Sequence, residues 1–296
     1  MPATPQRIAA HMTTLGEGMP IRRSLPHRER RMIGAWCFLD HFGPVDIGSG
    51  AGMRVGPHPH IGLQTFSWLI EGEILHRDSL GYAQLIRSGQ VNLMTAGHGI
   101  SHSEESPADH SRRMHGAQLW IALPDEAFSC PPAFEHHPVL PIVHDGGFVI
   151  TVLAGEFAGQ TAPPRVYTPL IGLDLTSAGT AQLAVPLRAD FEYGVIVLEG
   201  SASVNGEALA IGELLYFAPG ARALALQCDA ATRVLLIGGE PFASPRILYW
   251  NFVGRGGADI RSATEQWNAG DARFGEVHGY DGARLTAPEV PRLSGE

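Results

Sequence analysis

The feature that most constrains this chain is a succession of short apolar runs, each about one β-strand long. They are Phe66–Ile70, Gln84–Ile86, Gln118–Leu123, Phe148–Leu153, Ala181–Val185, Gly194–Leu198, Leu214–Phe217, Arg222–Leu226 and Arg233–Ile237. Turn residues close most of them, as in Glu71-Gly72, Ser88-Gly89, Asn205-Gly206 and Pro219-Gly220. Short strands punctuated this way predict barrels or sandwiches, not alternating strands and helices. One segment reads differently. Ala258–Ala269 sets Ile260, Ala263, Thr264 and Trp267 at helical spacing, and Gly270 follows as a stop. The expectation is an all-β protein with one short helix near its C-terminus.

The strand pattern also repeats. Ser67-Trp68-Leu69-Ile70-Glu71-Gly72 is followed by Ser88-Gly89 and by Asn92-Leu93-Met94-Thr95-Ala96-Gly97. Val195-Ile196-Val197-Leu198-Glu199-Gly200 is followed by Ile211-Gly212 and by Leu215-Tyr216-Phe217-Ala218-Pro219-Gly220. A duplicated β unit gives such an echo, and 296 residues accommodate two domains. The Pro- and His-rich stretch Pro131–Pro141 is the natural joint, giving domains 1–135 and 136–296. Residues 181–240 contain no His, so chemistry that needs imidazole belongs to the first half.

Composition narrows the chemistry. All 21 basic residues are Arg, which removes lysine Schiff bases and the P-loop. Three scattered cysteines (Cys37, Cys130 and Cys228) make neither a disulfide framework nor a thiolate zinc site. Cys37, among apolar neighbours, is expected to be buried and inert. A net charge of −9 argues against direct nucleic-acid binding. No apolar run is long enough for a membrane span. Met1–Met12 is polar and does not resemble a secretory signal, so the expected compartment is the cytoplasm. Histidine, with 14 copies, is left as the evident ligand type.

Two motifs use it. In Gly56-Pro57-His58-Pro59-His60 the histidines stand at i and i+2, and the prolines favour extended backbone for the residues before them. Alternation on a strand then points both imidazoles the same way. His102 and Glu104, in Gly97-His98-Gly99-Ile100-Ser101-His102-Ser103-Glu104, repeat the spacing. On neighbouring strands the two pairs offer three imidazoles and one carboxylate to one ion. That set suits a redox-active metal with open positions better than a closed structural zinc. Other histidines read as ordinary. His136-His137 is expected to be a solvated linker pair and His98 an exposed turn residue. His41 and His76 are expected to be hydrogen-bonded structural groups. Trp36, Phe66, Trp68 and Trp120 are expected in the core.

The residues that carry these motifs also carry a resemblance. His58-Pro59-His60 followed by Thr65-Phe66-Ser67-Trp68-Leu69-Ile70-Glu71-Gly72, and Met94–Glu104 followed by Gly116-Ala117-Gln118-Leu119-Trp120, resemble the metal motifs of the pirins. Gly16–Pro26 and Leu39–Pro44 resemble bacterial members. Gly238-Gly239-Glu240-Pro241 and Tyr249–Val253 fit the family's C-terminal domain more loosely. The resemblance implies two cupin-type β-barrels in tandem, with metal in the N-terminal one only. It implies one mononuclear ion on His58, His60, His102 and Glu104, usually Fe, with Ni, Cu, Mn or Zn as alternatives. The general cupin pattern places a Glu after three or four residues that intervene beyond the second His. Here Gln64 and Thr65 occupy those positions, so Glu104 takes the carboxylate role. Gln64 either supports a ligand from behind or serves only as a strand residue.

Pirins are associated with quercetin (flavonol) 2,3-dioxygenase activity. The resemblance therefore implies a small aromatic substrate and O2, with Glu104 as catalytic base. The family also includes redox-sensing regulators that bind a transcription factor or an enzyme, and this is the alternative. Neither reading decides between monomer and dimer.

Overall fold

The computed structural model describes residues 5–16, 18–50, 52–242 and 244–292. Met1–Thr4 of the polar N-terminal stretch and Glu17 of the Gly16–Pro26 motif lie outside the described residues. Strands dominate the regular structure, and all nine apolar runs lie on strands apart from the end residues Leu123 and Arg222. The predicted helix spans Gly257–Ala269 and buries Ile260, Ala263, Thr264 and Trp267. Gly270 ends it with φ 76°, a left-handed conformation that glycine adopts without steric penalty. A 3-10 turn, Ala272–Phe274, follows. Among the described residues no helix is long and apolar enough to cross a membrane.

The chain forms two compact units. The metal-motif unit comprises Thr13–Ile21, Phe42–Pro138 and Ala243–Glu296; the other comprises Met1–Met12, Arg22–His41 and Val139–Phe242. A single cut at residue 135 does not separate them. Strand pairing joins residues far apart in sequence, so each unit gathers three stretches. The isolated bridge Ile61–Phe252 is one such link inside the metal-motif unit.

The second unit holds a seven-stranded and a four-stranded sheet, and the metal-motif unit holds a four-stranded sheet and the greater part of a seven-stranded one. In the metal-motif unit the four-stranded sheet runs Arg54–His60, Ile100–Glu105, Glu73–Asp78, Ala83–Arg87. The larger sheet begins Ala133–His137, Val91–Thr95, Leu63–Glu71, Arg113–Ala122 and continues on residues 42–46 of the strand Trp36–Asp46. The second unit repeats this order. Its small sheet runs Ala181–Pro186, Ala223–Cys228, Ser201–Val204, Glu207–Ala210. Its large sheet begins Gln6–Ala9, Glu213–Phe217, Glu192–Glu199, Thr232–Gly239, Leu170–Ser177. The internal echo in the sequence is this shared order. In each unit the expected barrel takes the form of two separate sheets, not one ladder closed on itself.

Alternation builds the interiors. Ala181–Pro186 buries every second residue (Ala181, Leu183, Val185), and Ala223–Cys228 buries Leu224, Leu226 and Cys228. These pack with Val195, Val197, Leu215 and Leu236 of the opposite sheet in one apolar core. Asn205-Gly206 turns the hairpin between Ser201–Val204 and Glu207–Ala210, both residues at positive φ. In the metal-motif unit the helix covers a separate apolar cluster of Ile61, Phe252, Ile260, Trp267 and Phe274.

The Pro131–Pro141 stretch is more ordered than a solvated linker. Ala133–His137 pairs with Val91–Thr95, and His136 Nδ1 lies 2.7 Å from Asn92 Oδ1. His136 and His137 are half-buried, because a strand at the end of the sheet holds them. His98 is exposed, as expected of a turn residue. Trp36, Phe66, Trp68 and Cys37 are buried.

Candidate metal centre

The four-stranded sheet of the metal-motif unit has an unusual inner face. His102 stands opposite His58 on one side and opposite Asp78 on the other. Glu104 stands opposite His76. Six polar side chains thus share one face: His58, His60, His76, Asp78, His102 and Glu104. All are at least nine-tenths buried. The register between Ile100–Glu105 and Arg54–His60 shifts between His102 and Glu104. A bulge there re-aims the carboxylate relative to a regular ladder.

Three imidazoles converge. Their nearest ring nitrogens all lie within 4.8 Å of one another, and His60 Nε2 is 3.0 Å from His102 Nε2. His58 Nδ1 donates to the Gly56 carbonyl at 2.8 Å, and His60 Nδ1 donates to the Asn251 carbonyl at 2.9 Å. A carbonyl only accepts, so in a neutral imidazole the proton is on Nδ1 and the lone pair on Nε2. Such a fixed outer bond is what orients a ligating histidine. Burial keeps all three neutral: His58 is pushed down to about 4, and His60 and His102 fall well below the ordinary histidine value. Lone pairs crowded this closely repel, and a cation relieves them. A separation of 3.0 Å lets both nitrogens reach one ion with bonds of about 2.1 Å. The residues present therefore fit a metal ion.

Glu104 belongs to a second, overlapping group. Its carboxylate lies within 4.8 Å of His102 and His76, while the three-histidine group does not include it. Burial raises the Glu104 carboxyl above its usual range, opposed by His76 and by a hydrogen bond with Ser67. The Ser67 hydroxyl is also 2.8 Å from Gln118 Oε1. Gln64 lies on the same strand as Ser67 but at the opposite parity, hence on the other face of the sheet. Its Nε2 donates to Thr95 Oγ1 at 2.9 Å. Trp120, expected as plain core, places its ring edge-on to His60 at 5.2 Å.

Beside these stand His76, expected only as a hydrogen-bonded structural group, and Asp78, for which the sequence carried no expectation. The signal was Ile74-Leu75-His76-Arg77-Asp78, a third i, i+2 polar pair in phase with a buried Ile74. His76 is indeed hydrogen-bonded, but its partners are Asp78 and His102.

Two family models match, "Pirin" over residues 18–121 and "Pirin C-terminal cupin domain" over residues 172–275. The chain belongs to the pirin family. A Pseudomonas aeruginosa relative named "Putative quercetin 2,3-dioxygenase" is 53% identical, covering 97% of this chain and 90% of its own length. A pirin-like protein of Caulobacter vibrioides is 39% identical over 88% of this chain and 92% of its own. The crystal structure of quercetin 2,3-dioxygenase from Acinetobacter baumannii superposes with a TM-score of 0.95 at 51% identity, covering 98% of this chain and 96% of that one. Donor set and family together imply a single bound metal ion in this pirin.

Proposed function

We propose that this pirin is a mononuclear metal-dependent dioxygenase of the quercetin 2,3-dioxygenase type. Iron would be held by His58, His60, His102 and Glu104. The observation that carries the reading is the convergence of three neutral, buried imidazoles whose outer nitrogens are engaged elsewhere. Support also comes from the two relatives above that bear this activity in their names. A set of imidazoles with one carboxylate suits Fe and leaves positions open on a six-coordinate ion. When bound, the ion would give a flavonol and O2 a common place to exchange electrons.

The chain's own residues supply the rest. Burial makes Glu104 a stronger base than an exposed carboxylate, suited to taking the proton of a phenolic hydroxyl. A hydrogen bond from the Ser67 hydroxyl steadies that carboxylate. The nearly closed sheet interior limits water around the reacting groups.

Metal analysis of protein purified under nitrogen, paired with oxygen uptake on quercetin, tests this. His58→Ala and His102→Ala should lose the metal. Glu104→Gln should lower quercetin-dependent uptake by roughly 100-fold or more. Full metal content in both histidine variants would overturn the site. The regulator reading keeps one observation in its favour: the second unit's interior is filled with hydrocarbon, leaving it only an outer surface to offer. No uptake with any flavonol, together with a partner captured in only one oxidation state, would establish that reading instead.

A further inference from the structure

His102 differs from the other two imidazoles in what holds its outer nitrogen. His58 and His60 each bond a backbone carbonyl. His102 Nδ1 instead faces His76 Nδ1 at 3.3 Å, and His76 Nε2 faces Asp78 Oδ2 at 3.1 Å. The other Asp78 oxygen accepts the backbone N–H groups of Leu80 and Tyr82 at 2.9 and 3.1 Å. Phe134 stacks on the His76 ring at 4.5 Å and 15°, fixing its plane. Asp78 and His76 are 2% and 3% exposed, so water does not compete for these bonds.

Proton counting gives this chain of groups a direction. A carboxylate only accepts, so the proton between His76 and Asp78 is on His76 Nε2. In the neutral ring His76 Nδ1 is a lone pair, and the 3.3 Å contact then places the His102 proton on Nδ1, which frees Nε2, the nitrogen that faces His60. We propose that Asp78 and His76 form a two-residue relay that fixes the His102 tautomer and ring plane, so that His102 presents Nε2 to the metal. The relay rests on the metal reading given above and adds two positioning residues outside that ligand set. Its negative end also makes His102 a stronger donor than a carbonyl-bonded imidazole.

Asp78→Asn is the incisive variant. The amide oxygen can still accept from Leu80 and Tyr82, but the amide nitrogen now donates to His76 Nε2. That reverses the His76 tautomer and sets two N–H groups against each other at His102. His76→Phe removes the relay while keeping the stack on Phe134. His76→Gln retains an acceptor and a donor. The probe is Co(II), titrated into purified full-length apoprotein against a competing chelator. Imidazoles are counted by pulsed EPR on the Cu(II)-loaded proteins.

Asp78→Asn and His76→Phe should each weaken Co(II) binding about 10- to 100-fold. His76→Gln should recover most of that loss. Three imidazoles should be counted on Cu(II) in the wild type and in His76→Phe. Wild-type affinity in both Asp78→Asn and His76→Phe overturns the relay. A count of two in His76→Phe also overturns it, by making His76 a ligand. If His76→Phe fails to fold, as its apoprotein melting curve would show, the near-isosteric Asp78→Asn decides alone. Failure of the underlying metal reading has a different signature: wild-type protein that takes no Co(II), or His58→Ala that binds it fully.

Discussion

In the metal-motif unit, the strand that begins the four-stranded sheet turns His58 and His60 inward. In the other unit the strand at the same place, Ala181–Pro186, turns in Ala181, Leu183 and Val185. The next strand contributes His102 and Glu104 in one case, and Leu224, Leu226 and Cys228 in the other. The third contributes His76 and Asp78, against Ala202 and Val204. The difference teaches what each interior is for. Hydrocarbon in the second unit removes apolar area from water and stabilises the fold at about 25 cal/mol per Å². Six buried polar side chains in the first forgo much of that gain. They are tolerated because each is hydrogen-bonded or grouped toward one point. A metal-bearing fold can therefore keep one unit as a site and its repeat as a stabilising mass.

The largest effect should come from moving polarity into the wrong unit. Leu236 is 1% exposed within the hydrocarbon core of the second unit. Leu236→Asp buries a carboxylate without a partner, a cost on the order of 5 kcal/mol or more. Soluble, folded protein should be lost, as judged by expression yield and circular dichroism. Normal melting behaviour would mean that the second interior is not the dry core described.

A smaller effect follows from pH. His58, His60 and His102 have folded values below 6.5, because burial disfavours their charged forms. A depressed folded value means the unfolded chain binds more protons, so stability is complete above 6.5 and is lost as pH falls. For His58 the window runs from 6.5 down to about 4. Apoprotein should therefore open in the metal-motif unit first between pH 6.5 and 4. Hydrogen exchange should show protection falling in Arg54–His60 and Ile100–Glu105 before it falls in Ala181–Pro186. Simultaneous loss in both units would break the contrast.

The smallest effect is a near cancellation. His102→Leu makes the first interior resemble the second and removes one crowded lone pair, but it leaves the buried His76 Nδ1 without its partner. Metal binding should vanish, while the apoprotein's melting temperature should move by less than about 2 °C. A marked fall would show that His102 also carries structural weight.

Sequence pattern reached far into this molecule, and its gaps have physical causes. Strands such as Ala181–Pro186 were legible because alternation is a local property. The helix was legible because Ile260, Ala263, Thr264 and Trp267 mark a period and Gly270 a stop. His58, His60, His102 and Glu104 stood out because two i, i+2 pairs in one half are improbable as surface decoration. Trp36–Asp46 was missed because Asp40, His41 and Gly43-Pro44 interrupt its apolar run. The place of His76 and Asp78 next to His102 was not legible because it depends on the strand beside them, not on their own spacing. The three-stretch make-up of each unit depends on pairings across more than 100 residues, as in Ile61 with Phe252, which no local pattern encodes.

The bond from His60 Nδ1 to the Asn251 carbonyl has a consequence in time. During synthesis the second unit has received its last stretch once Phe242 has emerged, while the metal-motif unit still awaits the segment from Ala243 onward. Until Asn251 arrives, His60 lacks the group that turns its lone pair toward the others. The unit whose histidine motifs emerge first is the last to receive all its stretches. Full orientation of His60 therefore waits until the segment that carries Asn251 has been made and has docked.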